Sequence, residues 1–142
     1  MSEYDQFSHF LEAQGEVYSS VMEELGNGRK QGHWIWFIFP QLRGLGSSSM
    51  NRRFALESVG QAREYFQHPL LGQRLLECCL ALLSGEESDP VKILGDVDSM
   101  KLHSSMTLFH LAAPECSVFT DVLEKFYAGH LDAATLELTD LA

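Results

Sequence analysis

Cysteine is scarce in this sequence, and the few cysteines present exclude a scaffold built on disulfides. Three cysteines occur among 142 residues, and two of them, Cys78 and Cys79, are adjacent within a leucine-rich segment. An odd number with this spacing does not form a disulfide framework. Proline and glycine also interrupt the chain rarely, while apolar residues make up 45% of it. That proportion is enough to build a packed core rather than a disordered chain.

Basic residues are few as well. The chain carries 20 acidic and 10 basic residues, a formal net charge of −10. This balance argues against a general nucleic-acid binder and against docking on anionic membranes. Residues 1–5 are acidic, whereas a secretory signal begins with basic residues. We therefore predict a cytoplasmic protein with reduced cysteines, and neither nucleic acid nor membrane as a partner.

Long apolar runs and known metal or cofactor motifs are also missing. The longest dense apolar run, residues 34–39, is far shorter than a membrane span. There is no Cys-x-x-Cys and no His-x-x-x-His, and the pair His103 and His110 alone does not make a metal site. Gly44-x-Gly46 lacks the third glycine of a dinucleotide fingerprint, and no Gly-x-Ser-x-Gly elbow occurs. The sequence predicts no metal and no cofactor.

Residues 34–39, Trp-Ile-Trp-Phe-Ile-Phe, are compatible with two secondary structures. Their aromatic and β-branched content favours a buried strand, but so short a run is equally consistent with a buried helix. We predict a helix, because the chain has no second strand-like run. A lone strand has no partner for its backbone hydrogen bonds. Pro40 ends the segment in either case.

Helical periodicity dominates the rest of the chain. The first stretch is predicted to form one helix or two consecutive helices, in which case Gly15 marks the break. Ser49 is predicted to cap the helix that follows residues 44–49, and Pro69 to occupy a first turn. Pro90 is predicted to start a short turn through Leu94. The helical patterns cover residues 7–25, 50–57, 59–67, 69–83, a segment through 109 capped by Asp96 or Asp98, 119–127, and a last helix capped by Asp132. The predicted fold class is all-α, with one compact domain of about eight short helices spanning residues 1–142.

Two stretches without acidic residues are the main functional signal. Between Glu24 and Glu57 the chain holds five Arg and Lys residues and no carboxylate, and residues 99–114 are likewise free of acids. If the two stretches meet in space, they form a positive, hydroxyl-rich patch on a negative body. Such a patch suits a small anion such as phosphate, a nucleotide or a carboxylate. We therefore predict a pocket for a small anionic, nucleotide-like ligand, formed by residues 29–53 and 101–107.

Each residue predicted to line this pocket has a role that follows from its chemistry. Cationic side chains would bind the charge of the ligand, hydroxyls would donate hydrogen bonds, and a tryptophan would form a wall. His33, which titrates near neutrality, is the candidate for moving protons. If a reaction occurs, hydrolysis of a glycosidic or phosphate bond is predicted. The predicted ligand-binding residues are Lys30, His33, Trp34, Trp36, Gln41, Arg43, Ser48, Lys101, Ser104, Ser105 and Thr107.

A structural role explains the same residues without a ligand. The cations can pair with acids elsewhere, the serines and threonines can cap helices, and Trp34 and Trp36 can belong to the core. His33 can be a hydrogen-bonded structural histidine. A second functional hypothesis is a non-catalytic helical module that uses its acidic C-terminal half to bind a basic protein partner of unknown identity.

Several segments resemble one bacterial family, the domain of unknown function 1810. The matching segments are residues 10–14, 28–30, 33–46, 68–69, 101–102, 104–109, Asp132 and 135–136. The likeness extends over nearly the whole chain, and its motifs are long and specific.

The resemblance implies a mostly helical fold and no established function. Some members are labelled calpastatin, but such inhibitors are largely disordered, unlike a chain with this apolar content. Ser47 and His103 stand where the family usually has a basic residue and an arginine, which weakens the positive patch. The motifs are also similar, by analogy only, to those of small helical domains that process ADP-ribose derivatives.

Overall fold

Nine α-helices make up most of residues 6–140, the part of the chain that this computed structural model describes. They are α1 (Ser8–Gly26), α2 (Ile35–Ile38), α3 (Ser49–Phe54), α4 (Val59–Gln67), α5 (Pro69–Ser84), α6 (Pro90–Leu94), α7 (Asp96–Ala112), α8 (Ser117–Tyr127) and α9 (Ala133–Asp140). Within this range the chain forms one isolated β-bridge, between Leu42 and Leu56, and no strand. The predicted all-α fold class is confirmed. Residues 1–5, on which the absence of a signal peptide was argued, lie outside the described range.

The hydrophobic segment predicted as a helix forms α2. Its aromatic and β-branched side chains are accommodated because the helix lasts only four residues, Ile35–Ile38, and three of them are buried. The amide of Phe39 still bonds to the carbonyl of Ile35 at 3.0 Å. Gln14 of α1 donates to the carbonyl of Phe37 at 2.7 Å. Together these contacts satisfy backbone groups of a helix that is too short to be stable alone.

Helix boundaries follow the capping residues, with two departures from prediction at helix starts. The first stretch forms one helix, the first of the two predicted alternatives, and α1 is unbroken at Gly15, because one glycine costs only about 1 kcal/mol in a helix that is otherwise well packed. Ser48, rather than Ser49, caps α3 by accepting from the amide of Asn51. Gly95, with φ at 89°, precedes α7, so no aspartate takes that position. The predicted Pro69 start is correct, and His68 caps α5.

The core is organised around α7, which packs against α2, α4, α6, α8 and α9. Residues 104–109 are all buried, including Ser104, Ser105 and Thr107. Six consecutive buried positions mean that neighbouring elements surround the helix on every side. The hydroxyls predicted for a ligand pocket therefore lie in the interior, on the central helix. No helix in the described range is long and apolar enough to cross a membrane.

Candidate functional site

Lys30 lies in the loop that joins α1 to α2, and its side chain makes three contacts. Its ammonium pairs with Asp98 of α7 at 2.7 Å, donates to the carbonyl of Gly32, and lies 5.1 Å from the centre of the Trp34 ring. Its side chain is only 9% exposed. The backbone amide of Lys30 also bonds to Ile93 at 2.7 Å. The cation is therefore already neutralised, and it ties the loop to α6 and α7.

Trp34 belongs to the core. Its ring is 2% exposed, and its indole N–H donates to the Glu24 carboxylate at 3.0 Å. The same carboxylate accepts the amides of Gln31 and Gly32 at 2.6 and 2.8 Å. The neighbouring His33 side chain is exposed. Glu24 thus holds the loop in place, and within residues 6–140 the His33 side chain makes no hydrogen bond to another predicted residue.

The α7 hydroxyls are directed toward the start of α9. Ser104 donates to the Asp132 carboxylate at 3.1 Å, and Thr107 accepts the Asp132 amide at 2.9 Å. Asp132 also accepts the Thr135 amide at 3.1 Å, as its predicted capping role requires. Ser105 is completely buried, and its hydroxyl has no partner. Ser104 and Thr107 thus join α7 to α9, and these contacts occupy their hydroxyls.

Trp36 lines a small cavity beside the segment that joins α2 to α3. Its ring is half-buried, but its indole nitrogen is inaccessible to solvent and has no hydrogen-bond partner in the part of the chain that the structure describes. The cavity has a volume of about 30 Å³, which is enough for one water-sized group. The lining residues are Trp36, Gln41, Leu42, Arg43, Gly44, Gly46, Asn51, Arg52, Phe54 and Ala55. Three of the predicted residues, Trp36, Gln41 and Arg43, are therefore neighbours around one hollow.

Asn51 connects this cavity to the second predicted stretch. Its amide nitrogen donates to the Ser48 hydroxyl at 2.9 Å. Its amide oxygen lies 3.5 Å from the ammonium of Lys101 on α7, at the long end of hydrogen-bond range. A Cβ added at Gly46 would collide with the Asn51 side chain. Lys101 and Ser48 thus reach the cavity through Asn51, although neither lines it.

Arg43 is held at the cavity by two contacts. Its Nε donates to Glu57 at 2.7 Å, and one terminal nitrogen donates to the carbonyl of Arg52 at 3.1 Å. The Arg43 side chain remains 45% exposed. A guanidinium carries five N–H donors in a planar fork, so donors remain for a further acceptor. Glu57 offsets the charge of Arg43, so Arg52 supplies the remaining positive charge of the cavity, whose lining residues include no carboxylate.

Asn51 and Arg52 were not among the predicted ligand-binding residues. Arg52 was noted within the basic stretch, but the sequence did not say which of the two adjacent arginines faces the hollow. Asn51 carries no charge and matches no motif, so no sequence signal pointed to it. Its importance comes from packing, since a glycine at 46 leaves the space that its amide fills. The described residues contain no group of three or more His, Cys, Asp or Glu that could hold a metal ion.

The chain is similar throughout its length to proteins whose function is not established. The model of the family described as "Protein of unknown function (DUF1810)" matches residues 4–139. The crystal structure of the conserved hypothetical protein Rv1873 from Mycobacterium tuberculosis is 45% identical, covers 95% of this chain and 96% of that chain, and superposes with a TM-score of 0.92. No curated protein matches. The chain belongs to the family of proteins of unknown function DUF1810.

Proposed function

We propose that this protein binds a small anionic ligand, and that one oxygen of an anionic group of the ligand enters the cavity beside Trp36. The observation that carries the proposal is the buried indole N–H of Trp36, which has no partner. Buried polar groups are almost always hydrogen-bonded, and leaving one unsatisfied costs about 1–3 kcal/mol. Because the Trp36 ring lines the cavity, a small turn of the ring would bring its N–H to a ligand oxygen, which would supply the missing acceptor.

The charge around the cavity supports an anion rather than a neutral ligand. Arg43 and Arg52 line it, and Lys101 reaches its edge through Asn51. No lining residue is acidic, although the chain as a whole has a net charge of −10. A phosphate or carboxylate oxygen fits the volume, whereas a nucleobase or sugar would have to lie outside, over the exposed loop of residues 43–49. A nucleotide-like ligand would therefore enter through its phosphate.

Binding is better supported than hydrolysis. None of the residues lining the cavity is a histidine, carboxylate, cysteine or serine. General acid–base catalysis needs such a group within hydrogen-bond reach of the reacting atoms. His33 is exposed and is not among the lining residues. The donors that are present, namely two guanidinium groups, two amides and an indole, are suited to recognition of oxygen atoms.

A ligand panel tests the proposal directly. Orthophosphate, ADP and ADP-ribose should each be added at millimolar concentration while the melting temperature Tm is measured, because binding at Kd stabilises by only about 0.4 kcal/mol. Isothermal titration calorimetry then gives Kd for any compound that raises Tm. We expect Lys101→Ala to weaken binding several-fold, because it removes a positive charge at the edge of the cavity together with the long contact to Asn51.

Lys92→Ala is the matched control, since Lys92 is an exposed lysine outside the cavity lining. It should leave Kd unchanged. Failure of every compound to raise Tm would contradict the proposal. Equal weakening by the Lys101 and Lys92 variants would contradict it too, because binding would then reflect only the overall charge.

A further inference from the structure

A second concave surface lies on the other side of α3, between α3 and α1. The two helices meet at one end, where the His9 ring stacks on Phe54 at 5.6 Å and Phe10 contacts the same ring at 5.4 Å. From the next turn of α1 onward a groove of about 360 Å³ opens between them. Its lining residues are Glu12, Ala13, Glu16, Val17, Phe37, Met50, Arg53 and Phe54. We refer to these eight residues as the α1–α3 groove.

The α1–α3 groove has an apolar floor and charged walls of opposite sign. Phe37 and Phe54 are buried beneath it, whereas the charged wall residues are exposed. On the α1 wall, Glu12 and Glu16 are four residues apart and so lie on one helix face. On the α3 wall, Arg53 lies over the Phe54 ring at 5.2 Å from its centre. The groove therefore offers an apolar seat with carboxylates on one side and a guanidinium on the other.

The two carboxylates are exposed and available for pairing with the cations of a partner. Neither Glu12 nor Glu16 takes part in a salt bridge or a hydrogen bond from its side chain among the described residues. Like charges at this spacing destabilise a helix by a few tenths of a kcal/mol. Glu23, eleven residues beyond Glu12, is also exposed and projects within about 20° of the same direction at 100° per residue. The acidic face thus continues along α1 past the end of the groove.

We propose that the α1–α3 groove binds a basic amphipathic segment of another protein. A bulky apolar side chain of that segment would fill the groove, and Lys or Arg residues beside it would pair with Glu12 and Glu16. Charge complementarity selects this partner, since the α1 face carries unpaired carboxylates along several turns and a small molecule would meet only one or two of them. Arg53 repels a basic group from the α3 side, which fixes the orientation of the segment. This surface is distinct from the Trp36 cavity, with which it shares only the lining residue Phe54.

The probe for this surface is a fluorescein-labelled amphipathic peptide of leucine and lysine, titrated with the full chain while fluorescence anisotropy is recorded. Two comparison peptides keep the same pattern, one with glutamate in place of lysine and one with serine in place of leucine. We expect the leucine–lysine peptide to bind at least about tenfold more tightly than either, because it alone supplies both the apolar and the basic contacts. Absence of binding at millimolar protein would overturn the proposal.

Charge reversal locates the binding surface. The double variant Glu12→Lys with Glu16→Lys should weaken binding of the leucine–lysine peptide by about tenfold or more. The double variant Asp121→Lys with Glu137→Lys makes the same change of net charge at exposed positions of α8 and α9, and it should leave binding nearly unchanged. Equal weakening by the two double variants would mean that the peptide follows net charge alone, and the proposal would fail.

A pair of adjacent arginines provides the finer control. Arg53 lines the α1–α3 groove, whereas Arg52 lines the Trp36 cavity on the other side of α3. Arg53→Ala should tighten peptide binding several-fold, because it removes the cation that opposes a basic segment. Arg52→Ala removes the same charge and should have no effect. Ala13→Trp, which fills the groove without changing charge, should abolish binding while circular dichroism shows an intact helical fold, and unchanged binding would overturn the proposal.

Discussion

The ammonium of Lys30 lies 2.7 Å from the carboxylate of Asp98, and the two side chains are only 9% and 18% exposed. This pair joins the loop after α1 to the first turn of α7. Asp98 also lies at the end of α7 where the helix dipole favours a negative charge. The pair therefore organises the same turns of α7 that carry Lys101, which faces the candidate anion site through Asn51.

Replacing Lys30 tests whether this contact is structural. Lys30→Met leaves the partly buried Asp98 without its counter-charge, and we expect the free energy of unfolding to fall by about 1–3 kcal/mol. Lys92→Met is the matched change at an exposed lysine without an ion pair, and it should alter stability by less than about 0.5 kcal/mol. Urea unfolding followed by circular dichroism measures both. A Lys30 variant as stable as the Lys92 variant would show that the pair contributes nothing.

Glu24 gives the loop a dependence on pH. Burial disfavours its charged form, but the amides of Gly32 and Gln31 and the Trp34 indole outweigh burial and hold the pKa of its carboxyl below the ordinary value of 4.5. A carboxyl with a lowered pKa binds its proton more weakly in the folded state than in the unfolded state. Its stabilisation is therefore complete above about pH 4.5 and is lost as pH falls through the folded-state pKa.

The experiment is a series of Tm measurements between neutral pH and pH 3 on the native protein and on Glu24→Gln. The variant should have a lower Tm than the native protein near neutral pH. The difference in Tm between the two proteins should become smaller as the pH is lowered. Glu23→Gln, at the exposed neighbouring position, should follow the native curve. A gap that stays constant with pH would mean that ionisation of Glu24 does not stabilise the loop.

Replacing two glycines in adjacent helices with alanine should change the stability of the protein in opposite directions. In α5, a Cβ at Gly72 would collide with the carbonyl oxygen of Phe66 and lie 3.0 Å from its carbonyl carbon. Because the obstacle is backbone, Gly72→Ala should destabilise by about 2 kcal/mol or more. In α4, a Cβ at Gly60 meets nothing nearer than the Ser58 hydroxyl at 3.6 Å. Gly60→Ala should therefore stabilise by about 0.5–1 kcal/mol. Thermal unfolding measures the stability of both variants. A Gly72→Ala variant as stable as the native protein would disprove the close approach of α4 and α5.

The fold was largely predictable because helical periodicity, prolines and capping residues are local signals. Residues 34–39 were ambiguous in isolation, and the absence of any partner strand settled them as a helix. The details of the helices that the sequence did not predict depend on packing and on backbone conformation rather than on local sequence signals. Gly15 remains helical because α1 is held by packing on both sides of it, and the start of α7 depends on the positive φ of Gly95.

The candidate site was predictable only in outline. The acid-free stretches indicated which segments to examine, and the structure brings Trp36, Gln41 and Arg43 together while Lys101 reaches them through Asn51. Sequence alone could not distinguish Trp34, which is bonded to Glu24, from Trp36, whose N–H has no partner. It also could not tell that α7 is enclosed, so that Ser104 and Thr107 bond toward Asp132 instead of a cavity.

Trp36→Phe tests whether the buried indole N–H of Trp36 serves to bind a ligand or has only a structural role. The substitution removes the N–H and keeps an aromatic ring. Without ligand, the native protein bears the cost of an unsatisfied buried donor, about 1–3 kcal/mol, which offsets the packing lost with the smaller ring. We expect the variant to be as stable as the native protein, within about 1 kcal/mol, when no ligand is present. We expect it to lose the rise in Tm that an anionic ligand produces. A variant that is destabilised by about 3 kcal/mol or more and yet still responds to ligand would mean that the N–H is satisfied by a fixed water, and that the ligand binds elsewhere.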